Sequence, residues 1–182
     1  MPELKKSLLT FDRSAALRRI ARGLILLLAG VIPGTLIVVG QQEEPVTKQM
    51  PVSDRIENVI KAKEPKFKLA GKHFSNNQEL KYVLLGWKSG EDVVSSTTYE
   101  LGSPQEAEEM LRESLNAPMS VPVQVTKLTQ IGDEAYMSTS NYSKEGHTNL
   151  LFCKGNYFIV MSATSPELAQ RFAKHMATEI DH

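Results

Sequence analysis

Three groups of side chains could do chemistry. Cys153 is the single cysteine, it is followed by Lys154, and His147 stands six residues before it, the ingredients of an activated thiol. Asp133 and Glu134 are adjacent carboxylates, a potential acid and base. His175, Glu179 and His182 are spaced i, i+4 and i+7, so one helical face would carry three metal-ligand side chains. Each group meets a structural reading of its own. The elements that must position them decide between the two.

Cys153 lies within NLLFCKGNYFIVMS, Asn149 to Ser162. Gly155-Asn156 between two apolar runs is a two-residue hairpin signal, expected to form a type I′ turn in which both residues take positive φ. That turn sets Lys154 opposite Tyr157, Cys153 opposite Phe158, Phe152 opposite Ile159 and Leu151 opposite Val160. Alternation puts Leu151, Cys153, Phe158 and Val160 on one face, and Leu150, Phe152, Ile159 and Met161 on the other. Both faces are apolar, so the hairpin belongs in the middle of a sheet covered on both sides. Cys153 is then a small buried hydrophobe with a raised pKa, not a nucleophile. His147, in SKEGH, reads as a polar strand entrance.

Asp133 and Glu134 follow Gly132, where the first reading is a turn, and strand alternation would send the two carboxylates to opposite faces. His182 is the last residue given, at a helix end, where His175 and Glu179 read as solvated side chains. His73 has no partner nearby in sequence. No nucleophile-elbow serine, glycine-rich phosphate loop or paired-cysteine spacing occurs. We therefore expect no catalytic, cofactor-binding or metal-ligating set, and a protein that is not an enzyme. Asn141-Tyr142-Ser143 is a sequon, meaningful only where exported proteins are glycosylated.

Charge is distributed unevenly along the 182 residues, although 21 basic and 21 acidic side chains cancel overall. Residues 1–22 carry six Lys or Arg against Glu3 and Asp12, a net of +4, and the remainder carries 15 basic and 19 acidic residues, a net of −4. A net acidic body repels a phosphate backbone and argues against nucleic-acid binding. Gly23 to Gly40 then runs 18 residues without a charge. As a helix it would reach about 27 Å, enough for a hydrocarbon core of about 30 Å. Lys and Arg before it and Gln41 to Glu44 after it place the N-terminus inside and the rest outside. Retention as an anchor and cleavage of a signal peptide before Gln41 both fit; the long basic leader and long apolar run favour the anchor. No cysteine directly follows the run to take a lipid, and one cysteine cannot form an intramolecular disulfide.

The expected organisation is thus a basic cytoplasmic tail (1–22), an anchor or signal segment (23–40), a polar tether (41–51) and an extracytoplasmic α+β domain (52–182). Within the domain, Val52, Ile56, Val59 and Ile60 make one face of a short helix capped by Ser53 and ended before Pro65. Strands are expected over Phe67–Phe74, Leu80–Trp87, Asp92–Leu101, Val121–Leu128 and Asp133–Tyr142, besides the hairpin. Two helices open on Ser-Pro. Ser103, Pro104 and Glu106 form a capping box ahead of Ala107, Met110, Leu111 and Leu115, with Glu108 and Arg112 paired outside; Ser165 and Pro166 precede Leu168, Phe172, Met176 and Ile180. The repeated plan of strands followed by a Ser-Pro helix suggests an internal duplication, against the plainer reading that Ser-Pro is a common helix start. The fold class is α+β, a mostly antiparallel six- to seven-stranded sheet flanked by about three helices.

The run GDEAY, then LLFCKGNYFIV, then a closing Ser-Pro-capped helix resembles small exported bacterial domains of unknown function, similar in architecture to the PsbP-like α/β/α sandwich. The likeness spans roughly Phe67 to Ile180 and implies a fold, with no catalytic residues to carry over. Of function it implies only a binding or accessory module; the anchor, the tether and the missing chemistry point to a non-enzymatic module supporting a neighbouring membrane or envelope protein complex. The alternative is a small-ligand sensor or carrier with a cleft between sheet and helix near Trp87 or Tyr136; a hydrolase using Asp133, Glu134 or His147 is the third reading.

Overall fold

In this computed structural model, the structure describes residues 51–76, 80–117, 124–139 and 148–180. The tail, apolar run and tether expected over 1–50 lie outside the described residues, as do Val121–Val123, the Asn141 sequon, His147 and His182. No helix among the described residues is long and apolar enough to cross a membrane.

The chain folds as α1 (Pro51–Lys63), β1 (Lys68–Asn76), β2 (Lys81–Ser89), β3 (Asp92–Glu100), α2 (Pro104–Asn116), β4 (Gln124–Leu128), β5 (Glu134–Thr139), β6 (Thr148–Lys154), β7 (Tyr157–Ala163) and α3 (Pro166–Ile180). The seven strands among the described residues form one antiparallel sheet in the order β1-β2-β3-β7-β6-β5-β4. Two meanders, β1 to β3 and β4 to β7, join where β3 pairs with β7.

The central hairpin has the expected register, with Lys154 opposite Tyr157 and Cys153 opposite Phe158. Its two faces enter two separate cores. Leu150, Phe152, Ile159 and Met161 pack with Val52, Ile56 and Ile60 of α1 and Leu168, Phe172 and Met176 of α3. Leu151, Cys153, Phe158 and Val160 pack with Tyr99 of β3 and Ala107, Met110 and Leu111 of α2. The turn departs from expectation: Gly155 has φ 54°, but Asn156 does not take positive φ, which is the sign pattern of type II′. Instead Asn156 is tied to Leu101, accepting from Leu101 N at 2.9 Å and donating Nδ2–H to Leu101 O at 3.0 Å.

Both Ser-Pro starts are capped as expected, since Ser103 Oγ accepts from Glu106 N and Ser165 Oγ accepts from Leu168 N, each at 3.2 Å. Glu106 returns the bond to Gly102 N rather than to Ser103 N, at 3.0 Å. Ser53 is not a cap. It lies inside α1, fully buried, because the helix already includes Pro51 and Val52. The duplication does not extend to the architecture. Antiparallel neighbours β3 and β7 are related by a local twofold through the sheet, which would keep the following helices on one face, whereas α2 and α3 lie on opposite faces.

Ser96 and Thr98 of β3 and Thr148 of β6 are buried on the face beneath α1 and α3, and their hydroxyls make no hydrogen bond. A buried hydroxyl without a partner costs about 1–3 kcal/mol. Thr98→Val, of nearly the same shape, is therefore expected to raise unfolding free energy by about 1 kcal/mol, read as a higher denaturant midpoint with an unchanged slope.

Candidate functional site

The GDEAY run closes the end of the sheet where β6 turns into β7. Gly132 has φ 57°, and a Cβ there would stand 2.3 Å from Cys153 O and 2.9 Å from Phe152 Cδ2, so only glycine fits. This closeness lets Asp133 N donate to Cys153 O at 2.8 Å. Asp133 then accepts from Lys154 Nζ at 2.9 Å and from Gly155 N at 2.8 Å, stapling the turn. Burial pushes its carboxyl up, but the Lys154 ammonium and the Gly155 N–H outweigh this and hold it below the usual range. Glu134 accepts from Lys127 Nζ and Tyr136 OH, both at 2.8 Å, which likewise lower its pKa.

The two carboxylates therefore serve separate structural partners and do not face one another across a substrate-sized gap. Both have depressed pKa values, so their contribution to stability is intact above about pH 4 and is lost as pH falls through the folded-state values. Asp133→Asn is expected to cost about 1 kcal/mol at neutral pH and to match the parent at strongly acidic pH, where Asp133 is protonated in both states. Denaturant unfolding across that pH range reads the convergence.

Cys153 is 1% exposed. Burial pushes its thiol above the ordinary value, the opposite of nucleophile activation, and its Sγ lies 3.8 Å from Glu134 O. His175 turns to Glu64, with Nε2 3.3 Å from Oε1, and Arg171 holds the same carboxylate, so His175 joins α3 to the end of α1. Among the described residues no three His, Cys, Asp or Glu side chains come together as metal ligands.

The two positions near which a cleft between sheet and helix is expected both hold packed side chains, Trp87 in one core and Tyr136 against the other. Trp87 is 2% exposed and its ring meets Phe172 edge-on at 5.6 Å, in the core under α3. Tyr136 belongs to the other core, beside α2. The two rings lie on opposite faces of the sheet, a separation that the parity of their strands sets only once register is known.

Among the described residues, α2 covers only part of its face of the sheet. Helix α2 packs over β6 and β7, where Tyr99, Phe158, Cys153 and Leu151 are covered. Beyond it the outer strands present His73, Leu84, Thr97, Ser95 and Val93, with Leu84 40% and Val93 41% exposed. At its centre Gly71 of β1 and Gly86 of β2 are directly opposite. Neither has positive φ, a Cβ on Gly71 would meet nothing within 4 Å, and one on Gly86 would come no nearer than 3.9 Å. Neither φ nor space demands glycine at these positions, although Gly71 adjoins the register shift after Leu69, and glycine in a strand costs about 0.5–1 kcal/mol relative to alanine. A strand glycine marks a bulge, as at Gly71, or a place where a ligand or another backbone approaches closely, the reading left for Gly86. One edge of this area carries an aromatic ladder, His73 to Tyr82 at 6.1 Å and Tyr82 to Tyr99 at 5.7 Å. Sequence reasoning missed this area because the glycines come together only through register.

The architecture defines the class: an α+β domain, a seven-stranded antiparallel sheet with two helices on one face and one on the other. No family model matches the chain, and no curated protein matches it. Among solved structures it is similar to the extracellular domain of PknH from Mycobacterium tuberculosis, at 9% identity and a TM-score of 0.48, covering 76% of this chain and 98% of that one. At that identity and score the likeness transfers neither residues nor activity.

Proposed function

We propose that this chain is a non-enzymatic binding or accessory module, tethered to a membrane by residues 23–40 and placed outside the cytoplasm, that engages its partner with the open half of the sheet. The observation that carries the reading is the uncovered area around Gly71 and Gly86, with Leu84 and Val93 exposed beside a helix that stops short of them. The charge asymmetry around the apolar run supports the tether. The depressed carboxylates and the buried thiol have structural duties, which supports a non-enzymatic role.

The test places a photo-crosslinking residue at Leu84 in the native host, with Lys174 on the exposed side of α3 as the control. A membrane or envelope protein captured at Leu84 and not at Lys174 supports the reading; equal or no capture at both positions removes it. Intact mass from separated membrane and soluble fractions tests the tether: a full-length membrane species supports it, and a soluble species beginning at Gln41 replaces it with a secreted domain.

The Gly71–Gly86 pair also favours a second reading, a sensor or carrier for a small ligand resting on the exposed backbone. Gly86→Ala is expected to raise stability by about 0.5–1 kcal/mol, measured by denaturant unfolding. Gly86→Trp would occupy the area, and loss of ligand-induced thermal stabilisation in that variant supports this reading. Trp87 is a poor reporter of such binding, being buried on the other face.

A further inference from the structure

One end of the sheet gathers unpaired lysines around exposed apolar side chains. Lys61 and Lys63 close α1, and Phe67 N donates to Glu64 O at 2.9 Å in the tight turn that leads into β1. Lys66 lies in this turn and Lys68 begins β1, directly opposite Lys88 of β2. All five lysines are exposed, and among the described residues none is in an ion pair. Lys68 Nζ makes only a 3.4 Å hydrogen bond to Pro65 O. Three carboxylates share this end: Glu64 is taken by Arg171 and His175, Asp92 accepts from Thr164 Oγ1 at 3.3 Å, and Glu91 stands exposed at the β2–β3 turn, so the five lysines remain in excess. Leu69, 38% exposed, is opposite Trp87 and so flanks this end on the α1 and α3 face, whereas Val93, 41% exposed, is opposite Lys88 and flanks it on the open face.

Local duties account for part of this. Lysines in the last turn of α1 complement its dipole, and lysine on an edge strand discourages stray pairing. Those duties do not require Lys66, the like-charge opposition of Lys68 and Lys88, or apolar side chains left among them; like charges directly opposite are destabilising. The mixture selects the occupant. Dispersed ammonium groups match a diffuse anionic surface better than the bidentate sites for which arginine is suited, and Leu69 and Val93 gain a partner in a bilayer interface but none in a hydrophilic polyanion.

We propose that this end of the domain, Lys61, Lys63, Lys66, Lys68 and Lys88 with Leu69 and Val93, docks on an anionic lipid bilayer. The inference rests on the tether reading. Helix α1, 13 residues and about 20 Å long, carries the chain from its entry at Pro51 to the lysine-rich end. Residues 41–50, which precede α1, have a contour length of about 33 Å, more than the length of α1, so the domain can turn that end back onto the membrane from which it emerges. The lysines then hold the domain against the lipid, and the open half of the sheet is presented at the membrane surface.

The test uses the full chain in nanodiscs of phosphatidylcholine with or without phosphatidylglycerol, with a fluorophore on Ser89→Cys, an uncharged position where β2 enters the β2–β3 turn, and a headgroup quencher in the lipid. Cys153 is buried and does not compete for label. Only chains shown by intact mass to be full length and bilayer-bound are read, so loss of the tether and loss of docking are separate results. The docked fraction is expected to rise at least about tenfold on the anionic bilayer and to return to the neutral level at high salt. The triple charge reversal Lys66→Glu, Lys68→Glu and Lys88→Glu should abolish that rise. Equal quenching on the two bilayers, or a rise that survives salt in the unaltered protein, overturns the proposal without reference to the variant.

Discussion

Gly132→Ala is expected to destabilise the domain by more than about 3 kcal/mol, enough to leave a large unfolded fraction if total stability lies in the ordinary range of about 5–15 kcal/mol. Two costs combine. The residue holds φ 57°, where a Cβ costs about 1–2 kcal/mol, and that Cβ would sit 2.3 Å from a backbone oxygen that cannot swing aside. Moving Cys153 O away breaks its bond from Asp133 N and releases the Asp133 staple on Gly155. Gly155→Ala is the control, because Gly155 also has positive φ but its Cβ would meet nothing within 4 Å. It should cost only about 1–2 kcal/mol. Denaturant unfolding followed by Trp87 fluorescence measures both, and equal losses in the two variants would mean that strain alone, without the clash, sets the cost.

Phe172→Ala should cost about 3–5 kcal/mol. Phe172 is fully buried and joins the sheet to the region where α1 leads into β1: its ring meets Trp87 at 5.6 Å and Phe67 edge-on at 5.0 Å. Truncation leaves a cavity beneath α3 that two rigid rings cannot collapse into. Circular dichroism should report the loss, since the emission of Trp87 changes directly when its neighbour is removed. By contrast Leu84→Ala, at 40% exposure on the open area, should leave stability within about 0.5 kcal/mol. A large loss there would show that Leu84 serves the fold and not a partner.

Much of the fold was legible because its determinants are local. The apolar steps of α2 and α3, their Ser-Pro starts and the two-faced hairpin around Gly155 are each written within about fifteen consecutive residues, and the structure has them where the pattern placed them. The errors were local as well. Ser53 reads as a cap because serine before an apolar step usually is one, but buried Val52 extends the helix past it. Asn156 tolerates positive φ, yet its bonds to Leu101 select a different turn.

From the sequence alone, the strands, the helices, the inert setting of Cys153 and the separation of Asp133 from Glu134 could be stated. Tertiary structure decided that β3 pairs with β7, that α2 and α3 take opposite faces, that Trp87 is core, and that Gly71 meets Gly86 and Lys68 meets Lys88. Periodicity tells each residue which side of its own element it occupies, whereas which elements become neighbours depends on burying all the apolar faces at once. The candidate surfaces lie where that burial leaves the sheet uncovered, a property that no single segment contains.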